Sequence, residues 1–337
     1  MNLKPRSDDR LICDLTDGVT GCFAVGVAHD VGIFRLLSEG PRAASELCAA
    51  LGIAPRPLDA LLLLCVSAGL LQRDDERYTL TPVAEDYLVE TSPTYAGWLF
   101  ELWSGDGDAF SFRQLRSAVT RNESWEPGRR PWIDAHRADA ARAAAFTRMM
   151  HGHSMAPALA WPEKIDLGDA RCLLDVGGGS GAHAIGALQH WPQLQAIVLD
   201  LASVCVVARE YIAEYGMTQR ITTVDGDMWM DDWPDADVHF FSDVFHNWTP
   251  AECATLARRS FERLPANGRI LVHEMLVDDE KRGPFTVAAS SLAMLAWCGG
   301  QQFSGSELTS LLRESGFDDV QVVPTFGYWS VVMGTKR

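Results

Sequence analysis

Apolar residues in the second half of the chain fall into five short runs, each of which ends abruptly in glycine, acidic or polar residues. The runs cover residues 173–174, 195–199, 221–224, 238–241 and 269–273. Runs of this kind, separated by stretches of helical pattern, predict strands that alternate with helices in an open parallel sheet. The carboxyl ends of such strands share one edge of the sheet, so the residues that follow the runs are expected to lie together.

The first 90 residues show a different pattern, in which helical segments are interrupted by glycine and proline. The expected elements are helices at 28–37, 44–51 and 57–70, a turn at 74–76 and a short strand at 78–80. Three helices and a hairpin form a winged-helix pattern, which in a basic protein can read DNA. The third helix carries four consecutive leucines and few cations, so it suits packing better than a major groove.

A glycine-rich segment follows the first apolar run and precedes an alanine-rich stretch. Residues 175–181 read Asp-Val-Gly-Gly-Gly-Ser-Gly, and glycines at this point let backbone N–H groups approach a nucleotide-type ligand closely. Read from Gly177, the segment forms G-x-G-x-x-A, which is compatible with a dinucleotide pyrophosphate. Read from Asp175, it forms D-x-G-x-G-x-G, a spacing associated with S-adenosylmethionine. The segment alone leaves both interpretations open.

The residues after the next two runs favour an adenosine-type cofactor. Asp200 is placed to accept hydrogen bonds from ribose hydroxyls, which would also suit NAD. Asp227 and Met228 offer a carboxylate and a soft thioether for the edge and face of an adenine. A nicotinamide dehydrogenase would leave this second pair of residues unexplained.

His246 is the candidate catalytic base. It follows the fourth apolar run, and Thr249 and Glu252 after it form a capping box with proline at the first helical position. His246 is therefore expected on a short loop between a strand and a helix. A lone histidine is more often structural, but Trp248 and the shared sheet edge favour a catalytic role.

These residues resemble the small-molecule O-methyltransferases of the class I S-adenosylmethionine-dependent methyltransferases, a family that includes caffeate and acetylserotonin enzymes and bacterial natural-product tailoring enzymes. His246-Asn247-Trp248 differs by one amide from the family's His-Asp-Trp triplet, and the resemblance covers nearly the whole chain. It implies an α/β fold in which a Rossmann-like class I methyltransferase domain follows an N-terminal α-helical winged-helix dimerisation domain. The implied segments are a dimerisation domain at 1–90, a helical linker and pocket roof at 91–165, and a catalytic domain at 166–337.

The resemblance also implies a site. His246 would be the general base, Glu274 the acid that supports it, and Gln302 would stand where relatives have a second acid. The implied cofactor-binding residues are Asp175, Gly177, Gly179, Asp200, Leu201, Gly226, Asp227, Met228 and Ser242, the last of which replaces a lysine of plant relatives. The implied substrate pocket comprises Trp103, Phe146, Met150, Asn247 and Met294.

The implied function is S-adenosylmethionine-dependent methyl transfer to a hydroxyl of a small phenolic metabolite in secondary-metabolite biosynthesis, with S-adenosylhomocysteine as the product. The alternative is a C-methyltransferase that acts on an activated aromatic ring or keto acid with the same cofactor site. The family context further implies a homodimer. The apolar stretch at 21–28 could belong to that interface or to the core of one subunit.

The composition of the chain narrows the classes of protein to which it can belong. The 337 residues, 47% of them hydrophobic, are enough for two domains with cores, and a net charge of −16 opposes nucleic-acid and anionic-membrane partners. The eight cysteines lack a C-x-x-C or a ligand-like Cys/His grouping, which predicts reduced thiols, a cytoplasmic protein and no metal. The apolar segment at 58–71 is too short to span a bilayer, so a buried helix is expected there.

Overall fold

The structure of the protein is a computed structural model that describes residues 7–97, 100, 111–125, 133–134 and 137–337. Trp103, predicted to line the pocket, lies outside the described residues. The chain divides into two units, residues 1–105 and 106–337, which are considered separately below. The three segments expected from the sequence, with boundaries near 90 and 165, remain a prediction.

The first unit is mainly helical. Its elements are α1 (Arg10–Asp30), α2 (Ile33–Ser38), β1 (Arg42–Ala43), α3 (Ala44–Leu51), α4 (Pro55–Ser67), β2 (Leu71–Asp74), β3 (Arg77–Leu80) and α5 (Pro82–Leu88). The strands form a small antiparallel sheet in the order β1-β3-β2. Phe34, Leu47, Leu58 and Leu62 belong to the core of this unit.

Two expectations for this unit are corrected. The single helix expected over 28–37 is divided between α1 and α2, because Gly32 has a φ of 87° that a helix cannot accommodate. The helix expected at 57–70 ends at Ser67 and is buried on one face only. Leu58 and Leu62 are buried there, whereas Leu63 is 71% exposed.

Helix α1 exposes an apolar face. Its exposed apolar residues are Leu11, Ile12, Leu15, Val19, Phe23 and Val27, with exposures between 48% and 69%. By length and composition α1 could cross a membrane, although a single such helix near the N-terminus is weak evidence for a span. Within the residues the structure describes, Ala28 is the one buried residue of α1.

The second unit contains the predicted parallel sheet. Its elements are α6 (Phe112–Arg121), α7 (Ala140–Ala160), β4 (Cys172–Val176), α8 (Ala182–His190), β5 (Gln195–Asp200), α9 (Ala202–Glu214), β6 (Ile221–Asp225), β7 (Val238–Ser242), α10 (Pro250–Arg263), β8 (Arg269–Met275), α11 (Phe285–Trp297), α12 (Gly305–Glu314), β9 (Asp318–Phe326) and β10 (Trp329–Thr335). The strand order is β6-β5-β4-β7-β8-β10-β9. Strands β4 to β8 run parallel, and β10 is antiparallel to both of its neighbours.

All five predicted strands are present, and the Rossmann-like fold is confirmed. The hairpin of β9 and β10 was not predicted. Apolar side chains are buried on both faces of the sheet: Phe241 packs in one core cluster and Phe240 in the other. The strand order reverses at β4, which pairs with both β5 and β7. A crevice at the carboxyl ends of these strands is therefore the expected ligand position.

Candidate active site

The glycine segment forms a tight loop between β4 and α8. Gly177 and Gly179 have φ values of 69° and 56°, a left-handed conformation that side chains disfavour. A Cβ at Gly177 would lie 3.1 Å from Val244 Cγ2, whereas one at Gly179 would meet open space. The loop therefore offers accessible backbone where a ligand can approach closely.

Two carboxylates stand beside this loop. Asp175 is 1% exposed, and burial together with the neighbouring Asp200 raises the pKa of Asp175 to about 7. Among the residues the structure describes, none hydrogen-bonds to its Oδ2. Asp200 accepts from the backbone N–H groups of Gly179 at 2.8 Å and Leu201 at 2.7 Å, yet desolvation raises its pKa to about 6.

The end of β6 completes this group. Gly226 donates its N–H to the carbonyl of Asp200 at 2.9 Å. Asp227 is 6% exposed; its Oδ1 accepts from the N–H of Trp229 at 2.9 Å and its Oδ2 lies 3.3 Å from Arg137 Nη2. Met228 Sδ would be 3.7 Å from a Cβ at Gly177.

We call residues 175–181, 200–201 and 226–228 the cofactor edge. The backbone at Gly179 is open to a ligand, and Oδ2 of Asp175 is a buried acceptor with no hydrogen-bond partner among the described residues. Both features fit a cofactor that carries hydrogen-bond donors. Ser242 is also predicted to contact the cofactor. Its Oγ lies 2.9 Å from Nδ1 of His273. Its cofactor role remains a prediction.

A contact that the sequence did not reveal ties α7 to the cofactor edge. Nδ1 of His151 lies 2.9 Å from Oγ of Ser180 in the glycine loop, and the ring stacks on Tyr211 with centroids 3.5 Å apart. Burial and then the nearby Arg148 lower the pKa of His151 to about 4, so the ring is neutral at neutral pH. His151 therefore holds α7 against the loop through packing and a neutral hydrogen bond.

Residues 242–248, here called the base loop, connect β7 to α10. Thr249 and Glu252 form the predicted capping box: the N–H of Thr249 donates to Oε2 of Glu252 at 3.1 Å, and the N–H of Glu252 donates to Oγ1 of Thr249 at 3.4 Å. This capping box fixes the start of α10 at Pro250. Residues Phe245–Asn247 form one 3-10 turn, and Trp248 is buried. The loop is thus a short, well-packed connection, as the sequence predicted.

Glu274, at the end of β8, holds the base loop in place. This carboxylate is fully buried, and its Oε1 accepts from the backbone N–H groups of Val244 at 3.0 Å, Phe245 at 2.8 Å and His246 at 3.4 Å. Its Oε2 lies 2.7 Å from Nδ1 of His246. Because a carboxylate can only accept here, Nδ1 carries the proton and Nε2 is left for a ligand.

The electrostatics of His246 depend on two carboxylates. Burial alone would lower the pKa of the ring, but Glu274 and then Asp243 outweigh it and raise the pKa to about 9. Asp243 was missed in the sequence, where it is simply the acid three positions before His246. Its Oδ1 lies 3.7 Å from Nδ1 of His246.

Gln302 does not contribute to this arrangement through a hydrogen bond within the described residues. Its amide Nε2 lies 3.2 Å from Oγ of Ser290, and its N–H donates to Oγ of Ser291 at 3.0 Å. Among the described residues, Asp243 is a second carboxylate near the base, beside Glu274. Whether Gln302 acts in catalysis remains a prediction.

The other predicted pocket residues lie on three elements. Phe146 and Met150 are half-buried on α7, and Met294 is half-buried on α11. Asn247 donates its Nδ2 to the carbonyl of Asp243 at 2.8 Å. A cavity of about 220 Å³ borders Asn247, Trp248 and Cys298; Phe146, Met150 and Met294 do not line it, so their shared role as a pocket wall remains a prediction.

Asp243, His246 and Glu274 place three potential metal-ligating atoms within 4.8 Å of one another. Nδ1 of His246 is already hydrogen-bonded to Glu274, whose other oxygen holds the backbone of the loop. We assign these contacts to the support of the base loop. The expectation of no metal stays a prediction.

Comparisons with known families agree with the division of the chain. Residues 13–90 match the O-methyltransferase dimerisation domain, and residues 112–318 match the O-methyltransferase domain. The second match contains the cofactor edge, the base loop and Glu274.

Individual proteins are similar over nearly the whole chain. The 3-hydroxy-5-methyl-1-naphthoate 3-O-methyltransferase of Streptomyces sahachiroi is 32% identical, covering 97% of this chain and 95% of its own. The acetylserotonin O-methyltransferase of Bos taurus is 31% identical, with 92% of each chain covered. The L-tyrosine C(3)-methyltransferase of Streptomyces lavendulae is 28% identical, over 87% of this chain and 82% of its own.

The fold agrees as well. The crystal structure of human N-acetylserotonin methyltransferase in complex with S-adenosylmethionine superposes with a TM-score of 0.84 at 25% identity. The match covers 100% of this chain and 99% of the human one.

Proposed function

The chain belongs to the O-methyltransferase family and is an S-adenosylmethionine-dependent methyltransferase, and we propose that it methylates a hydroxyl of a small aromatic metabolite with His246 as the base. The hydrogen bond between Glu274 and Nδ1 of His246 carries this proposal. It orients an imidazole at the same sheet edge as the cofactor-binding residues and leaves Nε2 for an acceptor hydroxyl.

The cofactor edge would hold S-adenosylmethionine, which supplies a methyl group on a sulfonium. The backbone at Gly177 and Gly179 would approach the cofactor closely. Oδ2 of Asp175 would accept a hydrogen bond from a donor group of the cofactor. Asp200 retains lone pairs for ribose hydroxyls beyond its two backbone bonds, and Asp227 and Met228 would contact the adenine. Leu201 and Gly226 would shape the same edge through their backbone.

The raised pKa of His246 bears directly on the base chemistry. An ordinary imidazole lies about 3.5 pKa units below a phenol, so full proton transfer costs about 5 kcal/mol. With the ring pKa near 9, the gap falls to about one unit, or about 1.4 kcal/mol. His246 is therefore a strong base once deprotonated, although at neutral pH the resting ring is mostly protonated.

The aromatic acceptor is supported by the named relatives, since the Streptomyces sahachiroi protein acts on a hydroxynaphthoate. A biosynthetic role in secondary metabolism accords with those relatives. The dimerisation domain supports a homodimer, in which the exposed apolar face of α1 would be buried against the second subunit.

C-methylation is the second candidate, because the relative from Streptomyces lavendulae is named as a tyrosine C(3)-methyltransferase. His246 would then deprotonate a phenol and so activate the ring carbon beside the oxygen. The cofactor edge and the base loop would be unchanged. The two candidates therefore differ only in which acceptor atom faces the methyl group.

The deciding experiment incubates the enzyme with 13C-methyl-labelled S-adenosylmethionine and a panel of phenols, hydroxynaphthoates and tyrosine. We expect an oxygen-bound methyl, identified by its 13C chemical shift, on a hydroxyaromatic acceptor. A carbon-bound methyl would establish the second candidate. Labelled cofactor that no aromatic acceptor consumes, while S-adenosylhomocysteine still binds, would overturn the proposed acceptor class.

A further inference from the structure

Asp243 lies between two imidazoles that belong to different elements of the second unit. Its Oδ1 is 3.7 Å from Nδ1 of His246 in the base loop, and its Oδ2 is 3.4 Å from Nε2 of His153 on α7. The Asp243 side chain is 6% exposed, whereas that of His153 keeps 21%. Neither carboxylate oxygen makes a hydrogen bond of good geometry to a described residue, so the carboxylate interacts with the imidazoles through space.

The backbone of Asp243 is held in the conformation that this position requires. Its φ of 53° lies in the left-handed region, which is uncommon for residues other than glycine. Its carbonyl accepts from Nδ2 of Asn247 at 2.8 Å, and its N–H donates to the carbonyl of His273 at 3.3 Å. These two contacts fix the residue between β7 and the 3-10 turn, with its carboxylate beside both imidazoles.

Titratable groups face Asp243 and His246 from every neighbouring element. They are Glu274 and His273 on β8, His153 on α7, His183 on α8 and, beside Glu274, Cys253 on α10. Burial lowers the pKa of His273 to about 4 and that of His183 well below its ordinary value, so both are neutral at neutral pH. Burial also raises the pKa of the Cys253 thiol, which stays protonated.

The remaining titratable groups are two carboxylates, Asp243 and Glu274, and the imidazoles that they face. Burial alone would raise the pKa of Asp243, but His153 and then His246 lower it below its ordinary value. Asp243 is therefore an anion at neutral pH. Glu274 carries the hydrogen bond to the base, whereas Asp243 acts on it only through space.

We propose that Asp243 is a positioning residue for His246, supplying the second carboxylate beside the base through Oδ1 while its Oδ2 faces His153 on α7. The inference rests on the proposed role of His246. The basicity of His246 then depends on carboxylates that follow two neighbouring strands, β7 and β8.

The test is the pH dependence of kcat at saturating cofactor and acceptor, with an NMR titration of the His246 ring in the complex with S-adenosylhomocysteine. A single charge 3.7 Å from Nδ1 changes the ring pKa by between about one and three units, depending on how strongly it is screened. We expect Asp243→Asn to move the acidic limb and the NMR midpoint to lower pH by this amount.

Asp225→Asn is the matched control, since it removes an exposed carboxylate at the end of β6 and should leave both readouts unchanged. If Asp243→Asn does not fold, Asp243→Gly decides in its place, because glycine adopts the φ of 53° without strain and also removes the carboxylate. The proposal is overturned if the variants that fold show the wild-type limb and midpoint. A His246→Gln variant that keeps its turnover would instead overturn the base assignment, while the difference between the NMR midpoints of the wild type and Asp243→Asn would still report whether Asp243 acts on the ring.

Discussion

The cofactor edge and the base loop lie at the same edge of one sheet, yet they are held in different ways. At the cofactor edge, a local run of glycines and short backbone hydrogen bonds arranges Asp200 against Gly179 and Leu201. In the base loop, a carboxylate 28 residues away in sequence accepts from the loop backbone and from the ring of His246. Both regions join two strands, but at the cofactor edge the carboxylate accepts only from backbone N–H groups, whereas in the base loop one buried carboxylate accepts from the backbone and also holds the catalytic ring.

This difference predicts that the two regions can be damaged separately. Mutations at the cofactor edge should weaken cofactor binding and spare turnover at saturation. Mutations in the base loop should reduce turnover and change its pH dependence while cofactor affinity survives.

The largest expected effect is that of His246→Ala. Loss of a general base should reduce kcat by a factor of about 100 to 10,000, with unchanged S-adenosylhomocysteine affinity because the cofactor edge is intact. Turnover by product chromatography and affinity by calorimetry measure the two quantities. A variant with near-normal turnover, or one that also loses the cofactor, would break the distinction between the regions.

Asp200→Ala should give the opposite pattern. Loss of a charge-assisted acceptor for the ribose should weaken S-adenosylhomocysteine binding about 10- to 150-fold, while kcat at saturating cofactor changes little. Asp225→Ala, at the exposed end of the neighbouring strand, is the control and should bind normally. Equal affinities for the two variants in calorimetry would contradict the assignment of Asp200.

The pH dependence of the wild-type enzyme sharpens the account of the base loop. Because the pKa of His246 is raised to about 9, the active neutral ring is lost as pH falls. We therefore expect kcat to drop about tenfold per unit below that value. Glu274→Gln removes the nearest charge, so the acidic limb should move to lower pH and the plateau should fall on the order of tenfold as the base weakens.

A rate profile that is flat between pH 6 and 9 at saturating substrates would count against a raised pKa in the working complex. Solvent-isotope and buffer controls, run with the same acceptor, would show whether methyl transfer itself limits the measured rate. The same series should leave S-adenosylhomocysteine affinity of Glu274→Gln close to the wild-type value.

The smallest expected effect is that of Gln302→Glu. Because the Gln302 amide faces Ser290 and Asp243 already provides a second carboxylate, the acidic limb should stay within about 0.3 units of the wild type. Rate profiles of the two enzymes, recorded with the same acceptor, test this. A clear shift of the acidic limb to higher pH would indicate that residue 302 lies near the base.

Much of the second unit was predictable from local patterns. Each of the five parallel strands is a short apolar run, and the capping box of Thr249 and Glu252 marks the start of α10. The β9–β10 hairpin was not predicted from the sequence. Its two strands differ in burial, since Val322 on β9 is exposed and Val332 on β10 is buried. In the first unit, the break at Gly32 escaped because one glycine within an apolar stretch does not reveal its φ.

The sequence by itself determined the five parallel strands, the glycine loop and the acids that follow the strands, because these are consequences of local periodicity and backbone freedom. Only the tertiary structure decided which carboxylates face His246. Glu274 reaches the ring because β7 and β8 are neighbours in the sheet, and Asp243 lies 3.7 Å from it in the folded base loop. A pKa depends on distances between charges in three dimensions and on burial, and neither is encoded in the spacing of residues along the chain.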